Sequence, residues 1–129
     1  MIVVDTSAIM AVLLDEDSAK NIIPILTDCD LCICAGTYAE LLIVSAARNL
    51  AQEASELFTA LGIQVEALDG AGSRAVQHAY VKWGKGRHPA SLNFGDCFAY
   101  ALAKEKDLPL LFIGNDFSKT DLTPALNQK

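Results

Sequence analysis

The stretch Leu110-Leu111-Phe112-Ile113-Gly114-Asn115-Asp116 carries the clearest signal of the fold. It begins with a run of apolar residues without polar alternation, which is typical of a strand buried on both faces. Such strands occur in parallel sheets that helices cover on both sides. Gly114 and Asn115 end the strand, and Asp116 follows at once. The stretch therefore predicts an α/β domain with an acidic residue at the carboxyl end of a buried strand.

The rest of the chain repeats this order of strand and helix. We predict strands at residues 2–4, 31–35, 63–66 and 110–113. We predict helices at residues 8–14, 19 to about 26, 36 to about 46, 50–60, 70–83 and 94–106. Strands that alternate with helices predict a three-layer α/β/α domain around a central, mainly parallel sheet. In such a sheet the functional groups lie at the carboxyl ends of the strands.

Length and composition fit one globular domain. The chain has 129 residues, and one domain typically takes about 100–200 residues, so we expect residues 1–129 to form a single domain. Hydrophobic residues make up 52% and charged residues 20%, which excludes an intrinsically disordered chain. No apolar run approaches the roughly 18 residues that span a bilayer, and the first residues do not resemble a signal peptide. We therefore expect a cytoplasmic protein with no membrane partner.

The chain is acidic, with a formal net charge of −6. Proteins that coat nucleic acids nonspecifically are usually basic, so this charge argues against that class. It leaves nucleic-acid enzymes open, because carboxylates that hold a divalent cation make a chain acidic by themselves.

The cysteines have two interpretations. Cys29, Cys32 and Cys34 form a C-x2-C-x-C pattern that could bind a soft metal, and Cys97 lies far away in the sequence. In a reducing compartment, buried cysteines are usually small hydrophobic residues. Cys32 and Cys34 fall on one face of a predicted strand, and no histidine is near in the sequence to complete a metal site. We therefore favour the structural interpretation.

Acidic residues stand where the fold can bring them together. Asp5 ends the first predicted strand, and Asp116 follows the last one. Glu40 lies in the first turns of the helix after the second strand, and Asp96 begins the apolar helix at 94–106. Because parallel strands end at the same edge of a sheet, we expect these carboxylates to converge there.

A group of carboxylates favours one kind of chemistry. Without a cation the carboxylates would repel one another and resist ionising together. Their oxygen atoms suit Mg²⁺ or Mn²⁺, which cut phosphodiester bonds by lowering the pKa of a bound water molecule. Structural alternatives exist for each residue. Asp5 can cap a helix, and Asp96 can complement a helix dipole. Glu40 can be a solvated helix residue, and Asp116 a turn residue.

Longer motifs connect these acidic residues to a known family. The motifs are V-V-D-T-S-A at residues 3–8, Y-A-E-L at 38–41, G-K-G-R-H-P-A-S-L-N-F-G-D-C-F-A-Y-A-L-A at 84–103, and L-L-F-I-G-N-D-F-S-K-T-D-L at 110–122. Over essentially its whole length the chain resembles the PIN-domain family. Within that family it is similar to the VapC-type toxins of bacterial and archaeal toxin–antitoxin pairs. The segment 92–103 is the most specific part of the resemblance.

The resemblance implies an endoribonuclease that depends on Mg²⁺ or Mn²⁺ and is held inactive by a cognate antitoxin protein. The catalytic acidic residues of the family correspond to Asp5, Glu40, Asp96 and Asp116 in this chain. Asp5, Asp96 and Asp116 would hold the metal, directly or through water. Water activated in this way would attack phosphorus and displace the ribose 3′ oxygen, which leaves products with a 5′-phosphate and a 3′-hydroxyl.

Three further residues are candidates for a supporting role at this site. Ser7 matches the small hydroxyl residue that often supports the metal site in the family. Asn115 stands where some relatives have another acid, and Asp121 competes with Asp116 for the position of the fourth acid. We place Asp116 first because it lies nearer the end of the strand.

Contacts with RNA would come from the most basic stretch of the chain. Lys82, Lys85 and Arg87 lie just before the last predicted helix. Gly84 and Gly86 predict a loop that is mobile enough to follow an RNA backbone. The alternative is an ordinary solvated loop, and the sequence does not decide between the two.

Aromatic residues beside this basic stretch also have two interpretations. Trp83 and Tyr80 could stack on bases, but aromatic residues near a helix end are more often packing residues. For His88, which precedes a proline, we expect a structural or antitoxin-facing role rather than a catalytic one.

The first two helices carry more apolar side chains than one helix face needs. These side chains are Ile9, Val12, Leu13, Ile22, Ile23 and Leu26. Such an excess predicts either a surface for a partner or simply the core of the domain. The resemblance implies a homodimer that binds an amphipathic antitoxin segment.

Two other classes of protein with an acid at the end of the first strand fit the sequence less well. An aspartate-based phosphatase needs a second acid two residues after Asp5, where this chain has Ser7. A phospho-receiver domain needs a lysine after a late strand, where this chain has Gly114. Both classes are therefore disfavoured. Two alternatives stay open: a PIN-fold interaction module without turnover, and a metal-dependent nuclease that acts on DNA.

Overall fold

The computed structural model describes residues 1–126, and strands alternate with helices along this range. The strands are β1 (Ile2–Val4), β2 (Leu31–Cys34), β3 (Gln64–Glu66) and β4 (Leu110–Leu111). The helices are α1 (Thr6–Leu13), α2 (Ala19–Asp28), α3 (Ala35–Ala47), α4 (Ala51–Leu61), α5 (Gly70–Trp83) and α6 (Phe94–Lys106), and a short 3-10 helix, Phe117–Lys119, follows β4. The sequence predicts a single domain over residues 1–129, and the last residues of that domain lie outside the described range. Through residue 126, no helix is both long enough and apolar enough to cross a membrane.

A parallel sheet forms the middle layer of the fold. Its strands lie in the order β3-β2-β1-β4, and each neighbouring pair is parallel. Val3 of β1 pairs with Cys32 on one side and with Leu110 on the other. The strands therefore end at a common edge, which brings the segments that follow β1, β2 and β4 close together.

Helices cover both faces of this sheet. Val3 and Leu110 belong to an apolar cluster that includes side chains of α5 and α6. Val4 and Leu111 belong to a second cluster with side chains of α1, α2, α3 and α4. Successive residues of a strand face opposite sides, so the two clusters fill the two faces. The predicted three-layer α/β/α fold is confirmed.

The cysteines lie mainly in the core. Cys32, Cys34 and Cys97 are buried in the cluster shared with α5 and α6, and Cys29 is half-buried. All of them are free thiols. Their apolar surroundings agree with the structural interpretation.

The apolar side chains of α1 and α2 also serve mainly as core. Ile9, Ile22 and Leu26 are at most 2% exposed. Among the candidate partner residues of these two helices, Ile23 is exposed at 44%. The structure therefore favours core packing over a partner groove for this part of the chain.

The last strand is shorter than the predicted strand at 110–113. The backbone N–H of Ile113 donates to the hydroxyl oxygen of Ser7 at 3.0 Å, so it leaves the strand ladder. On the outer side of β4, the N–H of Leu110 donates to the carbonyl of Thr123 at 3.0 Å, and its own carbonyl accepts from Ala125 at 2.8 Å. The apolar run overstates the length of the strand, because an apolar residue can be buried without belonging to a strand. Phe112 is 2% exposed and follows the last residue of β4.

Candidate active site

Asp5 follows β1 directly and is 4% exposed. Its Oδ2 atom accepts hydrogen bonds from the N–H of Ser7 at 3.0 Å and from the hydroxyl of Ser7 at 2.6 Å. Its Oδ1 atom is buried and has no hydrogen-bond partner within residues 1–126. Burial raises the pKa of Asp5, against the lowering effect of the Ser7 hydrogen bonds, and the charge of Glu40 raises it further. A buried carboxylate oxygen without a donor is well suited to bind a cation.

Ser7 connects Asp5 to the end of β4. Its hydroxyl donates to Asp5 and accepts the hydrogen bond from the backbone N–H of Ile113. The backbone N–H of Asp5 donates to the carbonyl of Leu111 at 3.0 Å. These bonds fix the orientation of the Asp5 carboxylate and hold the segment after β4 beside it.

Glu40 is a half-buried residue of α3 that points toward the start of α6. Its Oε1 atom accepts a hydrogen bond from the hydroxyl of Thr6 at 2.6 Å. Its Oε2 atom lies against Gly95, in the space that a side chain at that position would occupy. In the same way, the ring of Phe98 occupies the space that a side chain at Gly36 would need. These two glycines therefore allow α3 and α6 to approach closely.

Asp96 lies in the first turn of α6 and forms a capping box with Asn93. The N–H of Asp96 donates to Asn93 Oδ1 at 2.8 Å, and Asp96 Oδ2 accepts from the N–H of Asn93 at 3.0 Å. Burial raises the pKa of Asp96 to about 7, against the effect of the Asn93 hydrogen bond. The negative charges of Asp5, Asp116 and Glu40 raise this pKa further. Asp5, Glu40 and Asp116 are therefore close enough to act on Asp96, and these four carboxylates form an acidic cluster.

Asp116 is exposed and lies just before the 3-10 helix. Its charge contributes to the raised pKa of Asp96. Its neighbour Asn115 is also exposed, and the carbonyl of Asn115 accepts a hydrogen bond from the hydroxyl of Ser118 at 2.6 Å. Asp116 is thus part of the acidic cluster, whereas the described contact of Asn115 is local.

Asp121 takes part in a different set of contacts. Its Oδ1 atom accepts a hydrogen bond from the hydroxyl of Tyr100 at 2.6 Å, and its Oδ2 atom lies 3.2 Å from the ammonium group of Lys104. The Tyr100 hydrogen bond and the Lys104 charge lower the pKa of Asp121. Of the two candidates for the fourth acid, the geometry favours Asp116.

The donor set of the acidic cluster fits a hydrated divalent cation. Across residues 1–126, no group of three or more His, Cys, Asp or Glu side chains is arranged to hold a metal ion as it stands. A hydrated Mg²⁺ needs only one or two direct carboxylate ligands and keeps several water molecules. The cluster offers carboxylate oxygens only, and Asp5 Oδ1 is buried without a donor. Both properties suit a hard cation such as Mg²⁺ or Mn²⁺.

The candidate RNA-binding residues are exposed. Lys82 lies in the last turn of α5 with its ammonium group 5.0 Å from the Trp83 ring centre, and Lys85 and Arg87 lie in the following loop. In this loop the N–H of Lys85 donates to the carbonyl of Leu92 at 2.9 Å, and the N–H of Leu92 donates to Trp83 at 3.0 Å. The loop therefore has more internal support than its glycine content indicates.

The aromatic residues beside this loop divide between packing and surface. Trp83 is 9% exposed, and its indole N–H donates to the hydroxyl of Tyr100 at 2.8 Å. The ring of His88 lies edge-on to Trp83 at 4.6 Å, and its Nδ1 atom accepts from the N–H of Ala90 at 2.9 Å. Trp83 and His88 are thus structural residues, while Tyr80 is 37% exposed.

Three residues that the sequence did not single out touch the acidic side chains. They are Thr6, Asn93 and Gly95. The three-residue spacing of Asn93 and Asp96 is a capping-box signal and could have identified Asn93. Thr6 and Gly95 contact Glu40 across different elements, and a spacing rule within one element cannot reveal such contacts.

An apolar groove lies beside Glu40, between α3 and α6. Its volume is about 330 Å³, and its walls include Ala39, Ile43, Phe94 and Phe98. Ile43 is 70% exposed and Phe94 is 69% exposed. Large apolar side chains that are exposed together mark an interaction surface.

Sequence comparisons relate the chain to a family of nucleases. The model of the PIN domain matches residues 2–122. The chain is 39% identical over 132 residues to Ribonuclease VapC28 of Mycobacterium tuberculosis, and the match covers 98% of this chain and 99% of that protein. It is 40% identical over 124 residues to Ribonuclease VapC of Mycolicibacterium smegmatis, with 93% of this chain and 96% of that protein covered.

Solved structures share the fold at low sequence identity. VapC20 of Mycobacterium tuberculosis, described as a sarcin–ricin loop cleaving toxin, has a TM-score of 0.77 at 14% identity, with 95% of this chain and 97% of that chain covered. VapBC2 of Rickettsia felis, bound to a DNA fragment from its promoter, has a TM-score of 0.70 at 11% identity and 96% coverage of both chains.

Proposed function

The chain belongs to the PIN domain family, and we propose that it is a Mg²⁺- or Mn²⁺-dependent endoribonuclease toxin, neutralised by a cognate antitoxin. We propose that it acts in the cytoplasm on RNA phosphodiester bonds. The acidic cluster at the carboxyl edge of the sheet carries this proposal, because burial and the neighbouring carboxylates together raise the pKa of Asp96 and Asp5 Oδ1 lacks a donor among the described residues. The ribonuclease names of relatives at 39–40% identity support it.

Three residues are proposed to hold the cation: Asp5, Asp96 and Asp116. When bound, the cation activates water and offsets negative charge on the phosphate. Asp5 would offer its free Oδ1 atom, while Ser7 keeps the other oxygen in place. Asp96 would give up its proton, because a positive charge beside it favours the carboxylate form.

Glu40 is proposed to orient the attacking water. Thr6 donates to its Oε1 atom and leaves Oε2 as an acceptor on the side of Gly95 and α6. From this position Glu40 would direct a lone pair of the water toward phosphorus by accepting its proton in a hydrogen bond. The products would carry a 5′-phosphate and a 3′-hydroxyl.

Exposed basic side chains are proposed to hold the RNA backbone. Lys82, Lys85 and Arg87 lie on the end of α5 and the loop before α6, the helix that begins with Asp96. In a chain with a net charge of −6, local positive charge is needed to bind a polyanion. These contacts would place the RNA without reading its sequence.

We propose two protein partners, a second copy of the chain and the antitoxin. The exposed Ile43 and Phe94 beside the groove between α3 and α6 would be covered in a homodimer. An amphipathic segment of the antitoxin would bind near the acidic cluster. A lysine or arginine of that segment would compete with the cation for the carboxylates, which accounts for inhibition by charge.

Metal-dependent cleavage of RNA is the experiment that tests this function. The purified chain is incubated with a pool of structured RNAs, and with DNA of the same sequences, in Mg²⁺, in Mn²⁺ and in EDTA. We expect cleavage of RNA with either metal and none in EDTA. Cleavage of DNA alone would replace this function with a deoxyribonuclease. Metal binding without cleavage of either nucleic acid would support an interaction module.

A further inference from the structure

A chain of polar contacts runs across the face of α6, outside the acidic cluster. The indole N–H of Trp83 donates to the hydroxyl of Tyr100 at 2.8 Å. The same hydroxyl donates to Asp121 Oδ1 at 2.6 Å, and the ammonium group of Lys104 lies 3.2 Å from Asp121 Oδ2. The Tyr100 hydroxyl is thus both acceptor and donor, and the residue is only 7% exposed.

Tyr100 joins three segments that contribute to the site. It lies one helical turn after Asp96 on α6. Through Trp83 it reaches the start of the loop with Lys85 and Arg87, called the basic loop below. The ring centres of Trp83 and His88 lie 4.6 Å apart there. Through Asp121 it reaches the segment after β4, which carries Asp116 five residues earlier. One hydroxyl group therefore bridges the elements that hold Asp96, Asp116 and the candidate phosphate-binding residues.

We propose that Tyr100 is a positioning residue, whose hydroxyl holds the basic loop and the Asp116 segment in a fixed relation to Asp96. It touches none of the reacting groups. Its effect is exerted through Trp83 on one side and Asp121 on the other. This inference rests on the proposed function for its meaning in catalysis, and its structural consequences can be measured without any substrate.

The chemistry of the hydroxyl explains why a phenylalanine would not serve. Without it, the buried indole N–H of Trp83 loses its acceptor, and Asp121 loses a hydrogen bond of 2.6 Å. A buried donor without an acceptor is costly, so the chain around Trp83 would rearrange toward water. Burial raises the pKa of Tyr100 to about 12, so its hydroxyl keeps its proton and its donor role at neutral pH.

The test compares four variants at matched foldedness, established by circular dichroism. Tyr100→Phe and Asp121→Ala remove the hydrogen bond between positions 100 and 121. Asp121→Asn keeps an acceptor for the Tyr100 hydroxyl and is the conservative variant. Lys104→Met removes the ion pair but leaves the hydrogen-bond chain intact, and it serves as the matched control.

Hydrogen–deuterium exchange is the first readout. In Tyr100→Phe and Asp121→Ala we expect faster exchange in residues 84–92 and 115–123, and unchanged exchange in α1 and α3. Wild-type exchange in both segments of Tyr100→Phe would overturn the proposal. Faster exchange throughout the chain would also overturn it, because general destabilisation would then explain the effect.

Manganese binding and RNA cleavage are the second and third readouts. For Tyr100→Phe and Asp121→Ala we expect weaker Mn²⁺ binding by electron paramagnetic resonance and a fall in kcat of about 10-fold, since small displacements of catalytic groups cost this much or more. Asp121→Asn should stay close to the wild type. If Asp121→Asn is as impaired as Asp121→Ala, charge rather than the hydrogen bond matters and the proposal fails. If the wild type cleaves no RNA, the proposed function fails, while exchange and Mn²⁺ binding still decide the role of Tyr100.

Discussion

The carboxylate of Glu40 lies against Gly95, in the space where any larger residue would place its Cβ atom. This contact links α3 to the first turn of α6, one residue before Asp96. A glycine in a helix is usually unfavourable by about 0.5–1 kcal/mol relative to alanine. The position of Glu40 explains why this helix nevertheless has a glycine there.

Gly95→Ala should separate activity from stability. The added methyl group would meet the mobile end of the Glu40 side chain rather than backbone, so the carboxylate would move and the fold would remain. We expect the rate of RNA cleavage to fall by about 10- to 100-fold, because displacement of a catalytic group typically costs this much. The melting temperature should stay the same or rise, because alanine favours the helix.

A matched control for this variant is Gly70→Ala. Gly70 begins α5, and an added Cβ atom there would make only an ordinary 3.6 Å contact with Arg74. It should cleave at the wild-type rate. Wild-type cleavage by Gly95→Ala would show that the position of Glu40 does not matter for the reaction.

Thr6→Val should impair the reaction through Glu40. Valine has nearly the shape of threonine but cannot donate the 2.6 Å hydrogen bond to Glu40 Oε1. We expect kcat to fall by roughly 10-fold, with little change in KM, because the loss affects orientation rather than RNA binding. Thr6→Ser keeps the hydroxyl and should retain most of the activity. Wild-type cleavage by Thr6→Val would show that this hydrogen bond does not orient Glu40.

Asp96→Asn should stabilise the metal-free protein in a way that depends on pH. The pKa of Asp96 is raised from 3.8 to about 7 in the folded chain. Below about pH 4 both folded and unfolded chains hold the proton, so the free energy of unfolding carries no penalty. Between about pH 4 and about pH 7 only the unfolded chain loses the proton, so the free energy of unfolding of the wild type falls as the pH rises.

Thermal unfolding in EDTA measures this effect. The difference in melting temperature between Asp96→Asn and the wild type should be near zero at about pH 4, grow up to about pH 7, and then stay constant. Mn²⁺ should raise the melting temperature of the wild type above that pH and leave the variant unchanged. A difference that is independent of pH would mean that Asp96 is not strained by burial and by the neighbouring charges.

Neutral substitutions in the basic loop should weaken RNA binding. Lys85 and Arg87 are exposed, and we expect Lys85→Gln with Arg87→Gln to raise KM several-fold while kcat changes little. The salt dependence of RNA binding should also become shallower, because fewer counterions are released. Lys20→Gln, at an exposed position on α2, is the control. An unchanged salt dependence in the double variant would make the loop an ordinary solvated surface.

Local sequence signals predicted the fold well. The β-branched and apolar runs at Ile2–Val4 and Leu31–Cys34 became central strands, and the predicted helix Phe94–Lys106 matches α6 at both ends. These elements follow from burial on both faces of the sheet and from capping residues, which are local in the sequence. The last strand was overestimated because the hydrogen bond from Ile113 to Ser7 joins residues far apart in the chain.

The acidic cluster was only partly predictable. The rule that parallel strands end at one edge was enough to select Asp5, Glu40 and Asp116, and the apolar start of its helix singled out Asp96. Nearness to the end of the last strand placed Asp116 before Asp121, and the contact of Asp121 with Tyr100 agrees with that order. The supports of the carboxylates, such as Thr6, depend on how α1 packs against α3.

The most direct measurement is the cleavage of RNA by Asp96→Asn beside Asp107→Asn, with Mg²⁺ present and the product ends mapped. Asp107 lies at the other end of α6 in a left-handed backbone conformation that asparagine also adopts. Asp107→Asn therefore removes the same charge as Asp96→Asn, but outside the acidic cluster. We predict 5′-phosphate ends from the wild type and Asp107→Asn, and no cleavage by Asp96→Asn. Cleavage that survives Asp96→Asn and EDTA, or products with a cyclic phosphate, would contradict a metal-dependent reaction at this cluster.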